Sequence, residues 1–330
     1  MHWTKKHIVI GTSILFILVF FFGSAPKPTH VVYGVTFSDK QARALGLDPH
    51  VVFTALVRDL HVTHIRIPFY WDEIETKPDT YDFSTFDWYV EASRKYNISL
   101  VPVLGRKLPR WPECFLPPWE KNASETTQQH DVLDLITHIV NHYNAQPSII
   151  AWQIENEPFF SFGICPLWNK GQLEKEIAIV RSLDARPLLT TESGEWSMWT
   201  HEVGRVDVVG ISLYRTSWWG KDGIGEFHSP IPPLFYSLKK AYINIFFHTP
   251  VINTELQMEP WGPKLIEDLS VNEQLHYFNI VQFNNNIRYA KRTGFDTVYL
   301  WGAEWWYFMK LHNHQEFWNS AHDLFGRYNG

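Results

Sequence analysis

Cysteine is scarce: the 330 residues hold two, Cys114 and Cys165, with no Cys-x-x-Cys pair and no metal-ligand spacing. That excludes a zinc ribbon and a redox dithiol. An excess of positive charge is missing too. There are 29 Lys and Arg against 35 Asp and Glu, and the formal net charge of −6 leaves no basic face for nucleic acid. Charged residues make up only 19% and hydrophobic ones 45%, a balance that argues against disorder and supplies a large core. No internal repeat, low-complexity tract or heptad run is present. His138 and His142 stand four apart on a helical stretch, but no acidic third ligand follows at helical spacing. Neither a metal nor a cofactor is expected.

What is abundant is aromatic: 16 Trp, 14 Tyr and 23 Phe. Large rings fill cores, yet many of these Trp fall in polar, Pro-rich connections. The N-terminus has a basic start (His2, Lys5, Lys6, His7) and an apolar run from Ile8 to Gly23, broken only by Gly11, Thr12 and Ser13. Gly23-Ser24-Ala25 supplies the small residues of a cleavage site. Residues 1–25 therefore read as a signal peptide or an uncleaved signal anchor, and both readings stay open. Lys5 and Lys6 would keep the N-terminus in the cytoplasm. Everything after about Pro26 is then expected outside it, secreted or tethered to the membrane. In such a compartment Cys114 and Cys165 are expected to pair, the alternative being two buried thiols. The Asn-x-Ser sequences at Asn97 and Asn122 matter only if the host glycosylates.

Downstream of the Pro-rich linker 26–29, apolar strand-like runs alternate with helical patterns. The runs are Val31–Val35, His64–Ile67, Ser99–Leu104, Ile149–Ile154, Pro187–Thr191, Val206–Leu213, Pro250–Thr254 and Thr297–Trp301. Between and after them, helices are expected over Pro49–Leu60, Ser84–Tyr96, Thr127–Tyr143, Gln172–Leu183, Met198–Val203, Pro233–Phe247, Val271–Lys291 and Gln315–Phe325. Ser84 with Asp87 suggests an N-cap and Gly294 a C-cap. Eight strand–helix repeats without a composition break point to one α/β domain over 26–330, a (β/α)₈ TIM barrel. In that fold, chemistry sits where strands end. The polar, aromatic and Gly/Pro-rich residues do follow the strands, whereas opposite connections such as Asn97-Ile98 are short and plain.

Two strand-end glutamates stand out. Glu157 closes Ile149-Ile150-Ala151-Trp152-Gln153-Ile154-Glu155-Asn156-Glu157, and Glu255 closes Val251-Ile252-Asn253-Thr254-Glu255. Strands four and seven face each other across a barrel of eight, so these carboxylates can converge on one pocket. Paired carboxyl groups about 5 Å apart are what retaining glycoside hydrolysis needs: one protonated to donate, one ionised to attack. Glu155, two residues before Glu157, points the same way by strand alternation but one layer deeper, where a hydrogen-bonding role is expected. Glu192, Glu195, Glu259 and Glu304 also fall on the catalytic face, either touching sugar hydroxyls or solvated in loops.

With these residues in view, the chain resembles the clan of (β/α)₈ retaining glycoside hydrolases that includes the family 5 cellulases and mannanases. The resemblance covers nearly all of residues 31–325. It implies that Glu157 of the Asn156-Glu157 pair is the acid/base and Glu255 the nucleophile. It further implies that Arg66 and Tyr214 support Glu255, that Asn156 binds the sugar 2-hydroxyl, and that Trp301 stacks on sugar. Two positions depart from family 5: Ser212 stands where a His is usual, and Gly105-Arg106-Lys107 where strand three usually ends in His. Trp71-Asp72-Glu73-Ile74-Glu75 and Tyr81-Asp82-Phe83 look more like the β-galactosidase branch. Among Trp71, Trp111, Trp119, Trp168, Trp196, Trp218, Trp219, Trp261, Trp305 and Trp306, about a third are expected to line a sugar cleft; Trp71 and Trp261 are taken as substrate-binding. The expected activity is cleavage of a β-linked oligo- or polysaccharide by a monomeric enzyme. An envelope-glycan transglycosylase and a non-catalytic carbohydrate-binding barrel remain the alternatives.

Overall fold

In the computed structural model, residues 20–167, 169–219 and 225–328 are described. Most of the N-terminal apolar run and Trp168 lie outside them. No helix among the described residues is long and apolar enough to cross a membrane.

Eight strands close a parallel barrel: β1 (Val32–Thr36), β2 (His64–Pro68), β3 (Ser99–Leu104), β4 (Trp152–Ile154), β5 (Leu188–Glu192), β6 (Val208–Leu213), β9 (Val251–Gln257) and β10 (Thr297–Trp301). The first strand meets the last, Val32 pairing with Thr297 and Thr36 with Trp301. Helices pack outside, their ends fixed by caps visible in the sequence. The Asp48 carboxylate accepts from the N–H groups of His50 and Val51, and Ser124 and Asn169 cap in the same way. Gly294 takes the left-handed C-cap position expected of it. The inside of the barrel is filled by Val101, Ala151, Leu189 and Tyr299, and the larger apolar core lies between strands and helices. Gly34 makes room for Tyr299, since a Cβ there would stand 2.8 Å from the ring.

Several local expectations change. Residues 198–203 are not helical: Glu192 takes the N–H and ring Nδ1 of His201 and the Ser197 hydroxyl, folding the segment around one buried carboxylate. The expected helix Val271–Lys291 is two, Val271–Tyr277 and Ile280–Thr293, because Phe278 is extended and Asn279 starts the second with a capping box to Gln282. Ser84 is the first helical residue rather than the cap, and Asp82 receives its N–H. Strand four is only three residues long; Ile149 makes a lone bridge to Leu100. Short helices over Asp39–Ala44, Trp71–Ile74 and Ala303–Leu311, and an antiparallel hairpin β7 (Thr216–Trp219) with β8 (Gly225–His228), elaborate the strand ends.

Candidate active site

Glu255 owes its direction to a bulge. Along β9, Ile211 pairs with Asn253 but Ser212 pairs with Glu255, and on the other side Val298 pairs with Asn253 but Leu300 with Leu256. One residue of β9 is thus extra against both neighbours, which re-aims the side chains that follow. Glu255 is buried, accepting from Arg66 Nη1 at 2.9 Å and from the Tyr214 hydroxyl at 3.1 Å. Arg66, fully buried on β2, is the hub. Its Nε donates to Gln153 (2.7 Å), Nη1 also to Thr36 (3.3 Å) and Nη2 to Asn156 Oδ1 (2.6 Å). Burial, and next the Glu255 charge, hold the Tyr214 phenol well above its ordinary pKa, so it stays a neutral donor.

Glu157 lies in a different environment. It is buried, and one oxygen accepts from the Ser212 hydroxyl at 2.7 Å. Burial and then the nearby Glu255 charge push its carboxyl up to about 7, against the smaller opposing effects of Lys107 and Ser212. Its N–H donates to Thr191 Oγ1 at 2.9 Å, and Thr191 in turn donates to Asn156 Oδ1 at 3.0 Å. Asn156 Oδ1 is therefore occupied, while Nδ2 makes only a long 3.4 Å contact with Glu113.

Strand alternation does not continue past Ile154. Glu155 and Glu157 both adopt left-handed backbone, φ 55° and 43°. Glu155 turns its carboxylate to the backbone N–H groups of Arg106 (2.7 Å) and Lys107 (2.6 Å), pinning the turn after β3. Only glycine fits before them: Gly105 has φ +127°, and a Cβ would stand 2.3 Å from the Glu155 carboxylate. Lys107 is buried as well. Its ammonium donates to the carbonyls of Glu157 (2.8 Å) and Phe160 (2.9 Å) and pairs with Glu113 (3.2 Å). Burial drives Glu113 up to about 8, with Lys107 opposing and Glu157 and Glu255 adding to the rise. Cys114, next to Glu113, is disulfide-bonded to Cys165, Cα–Cα 5.0 Å, so the loops after β3 and β4 form one unit. Sequence reasoning missed Glu113, Thr191 and Gln153 altogether, and marked Lys107 only as part of the Gly105-Arg106-Lys107 departure from family 5.

Of the other strand-end acids, Glu192, Glu259 and Glu304 are buried and Glu195 is half-buried. Arg110 pairs with both Glu259 and Glu304, and its guanidinium lies 4.2 Å from the Trp301 ring centre. The Trp301 indole donates to Glu259 at 2.7 Å. Burial raises Glu304 to about 6 despite Arg110. Glu195 accepts from the Tyr236 hydroxyl and the Tyr214 N–H, and burial raises its pKa. Of the tryptophans, Trp71 is a correction: it is fully buried, donating to Glu75 at 2.8 Å and packing edge-on to Trp119. Trp305 and Trp306 are core too. Trp261 is half-buried with its ring 5.2 Å from that of Tyr214, while Trp111 and Trp196 are exposed and Trp196 meets Trp219 edge-on.

Among the described residues, two side-chain groups have ligand atoms close enough for a cation: His130, Asp131 and Asp134 at the surface, and the Glu192, His201 and Glu202 cluster. In the second, burial and the neighbouring Glu192 hold the Glu202 carboxyl well above its usual range, so a proton shared between the two acids satisfies the geometry. His138 stacks on Tyr81 and His142 on Phe83.

The closed parallel barrel with its charged strand ends is the architecture of the (β/α)₈ glycoside hydrolases. The family model for cellulase (glycosyl hydrolase family 5) matches residues 46–210, half of the chain, and the chain belongs to that family. No curated protein matches it significantly. Among solved structures, it is similar to the exo-β-1,4-mannosidase Op5Man5 from Opitutaceae bacterium strain TAV5 (15% identity, TM-score 0.57, covering 85% of this chain and 52% of that one). It is also similar to a GH5_18 protein from Bifidobacterium longum in complex with Manb1-4GlcNAc (12%, 0.54, 82% and 68%). A third is the cold-adapted β-galactosidase from Rahnella sp. R3 (11%, 0.53, 84% and 52%). At these identities the likeness is one of fold, and the chain spans about half the length of the mannosidase and the galactosidase.

Proposed function

We propose that the chain is a retaining glycoside hydrolase acting on a β-linked glycan outside the cytoplasm, with Glu157 as acid/base and Glu255 as nucleophile. The observation that carries the reading is the opposed treatment of the two carboxyls. Glu255 is gripped by a guanidinium and a phenol that both donate to it, whereas Glu157 is pushed toward its protonated form. Glu157 gives its proton to the glycosidic oxygen as Glu255 attacks the anomeric carbon, and the leaving alcohol departs. Glu157, now a carboxylate, takes a proton from water while that water's oxygen displaces Glu255. Asn156 Nδ2 is the donor available to the sugar 2-hydroxyl, because Oδ1 is held by Arg66 and Thr191. Trp261 and Trp301 supply apolar and stacking surface beside Tyr214. The disulfide and the basic–apolar N-terminus support an exported single domain over residues 26–330, secreted or tethered.

The similar mannosidase and β-galactosidase make aryl β-mannosides and β-galactosides the first substrates to try. The test is a 2-deoxy-2-fluoro-β-glycoside followed by peptide mass spectrometry. A covalent adduct on Glu255, together with loss of turnover in folded Glu255→Ala, supports the assignment. Undiminished turnover in Glu255→Ala would sink it. Products longer than the substrate would assign transglycosylation to the same residues.

A further inference from the structure

One surface lies far from the strand ends that carry Glu157 and Glu255. The helix Pro233–Phe247 packs beside the helix Ile280–Thr293, both running toward the N-terminal ends of the strands. Ser237 Oγ donates to the Thr293 carbonyl at 2.7 Å, and Lys240 Nζ to that of Gly294 at 3.0 Å. The neighbour ends there, but the first helix continues from 238 to 247, about 15 Å at 1.5 Å per residue. Its last turns carry Leu238, Tyr242, Ile245, Phe246 and Phe247, all exposed, with Ile245 and Phe246 about two-thirds accessible. Three consecutive exposed large apolar residues at a helix end do nothing for the barrel itself.

The N-terminal segment arrives at the same corner. Arg292 donates to Ser24 Oγ (2.8 Å) and to the carbonyls of Phe22 (3.1 Å) and Gly23 (3.2 Å), and Ala25 N–H donates back to the Arg292 carbonyl at 3.0 Å. Phe21 and Phe22 are exposed beside it, and the sequence upstream to Ile8 is apolar. Arg288, Lys291 and Arg292 lie at the end of the neighbouring helix, while Lys240 pairs with Asp296 at 3.0 Å, in a chain whose net charge is −6. Apolar side chains projecting from a basic corner suit the interface of an anionic bilayer.

We propose that the end of the helix Pro233–Phe247 is seated in the headgroup layer of the membrane that the N-terminal run enters. The barrel then stands on its N-terminal face and turns its catalytic face away from the lipid. The inference rests on the N-terminal run and this helix, not on the reaction, so activity on a soluble aryl glycoside reads independently of it.

The test uses the full chain bound to vesicles of phosphatidylglycerol and phosphatidylethanolamine doped with a photoactivatable acyl-diazirine phospholipid, with adducts mapped by mass spectrometry. Adducts at residues 242–248 should exceed those on the β7–β8 hairpin at least tenfold. The variant Ile245→Glu/Phe246→Glu/Phe247→Glu should lose them while retaining activity on the soluble glycoside. Adducts confined to residues 1–23 in vesicle-bound protein would overturn the proposal and assign the face to the N-terminal run itself or to a second copy of the chain. So would adducts spread evenly over both ends of the barrel.

Discussion

Ser212 occupies a position where the family 5 resemblance implies histidine, and its hydroxyl donates to the Glu157 carboxyl. A neutral hydroxyl steadies the anion without adding a charge, so it lowers the proton affinity only modestly. In the proposed mechanism Glu157 must be protonated for the first step. kcat/KM is therefore expected to fall as pH rises through about 7, the value to which burial and Glu255 bring Glu157. Replacing Ser212 with Ala removes the bond to the carboxylate, and the alkaline limb should move up by about half to one pH unit, the worth of a roughly 1 kcal/mol hydrogen bond. A limb that stays put in a pH–rate profile would show that Ser212 does not govern this proton. On the other carboxyl, Tyr214→Phe deletes a donor to Glu255. It should lower kcat by about tenfold or more on natural and activated substrates alike, because the proposed nucleophile serves both.

The elements that place these residues are less regular than the strand pattern suggests. The strand ends of the proposed site were legible as apolar runs terminating in Asn156-Glu157 and Glu255, with Arg66 on β2 and Tyr214 just after β6. The devices that aim the side chains were not. A bulge in β9 leaves no compositional mark, and the left-handed turn at Glu155 contradicts simple alternation. Gly105 was readable as a loop residue, but not as the gap into which a buried glutamate fits. Gly105→Ala should cost roughly 2–4 kcal/mol, through positive φ and a collision with Glu155, and appear as a lower denaturant midpoint with an unchanged slope. The Cys114–Cys165 bond ties loops separated by 51 residues. Replacing both cysteines with Ser should cost about 4 kcal/mol by the chain-entropy estimate. It should also loosen Glu113 and Lys107, so activity should be lost at a lower temperature than the barrel itself melts.

At the scale of the whole molecule, the site sets how stability responds to pH. Glu113 at about 8, Glu157 and Glu120 at about 7 and Glu304 at about 6 all lie above an ordinary glutamate near 4.5. The folded chain thus keeps protons that the unfolded chain releases, a contribution fully present below about 4.5 and lost as pH rises through 6 to 8. The melting temperature should decline between pH 5 and 8.5, and Glu113→Gln should flatten that decline at its upper end. No periodicity in the sequence announces this, since Glu113, Glu120 and Glu304 look like loop charges until the rim buries them. The eight-strand order and the single barrel, by contrast, followed from the alternation of runs alone, because a parallel sheet needs a crossover between every pair.

The closure of the barrel has a consequence for how the chain is made. Val32 on the first strand finds its partner in Thr297, so one edge of the sheet stays open until nearly all of the polypeptide has emerged. At about 5–20 residues per second that interval lasts tens of seconds. Until Val251–Gln257 emerges, Thr36, whose hydroxyl donates to the Thr254 carbonyl beside Glu255, has no β9 to hold. The surroundings of Glu255 are thus among the last parts to form, and an open strand edge attached to the apolar N-terminal run must be kept from pairing with other chains until then.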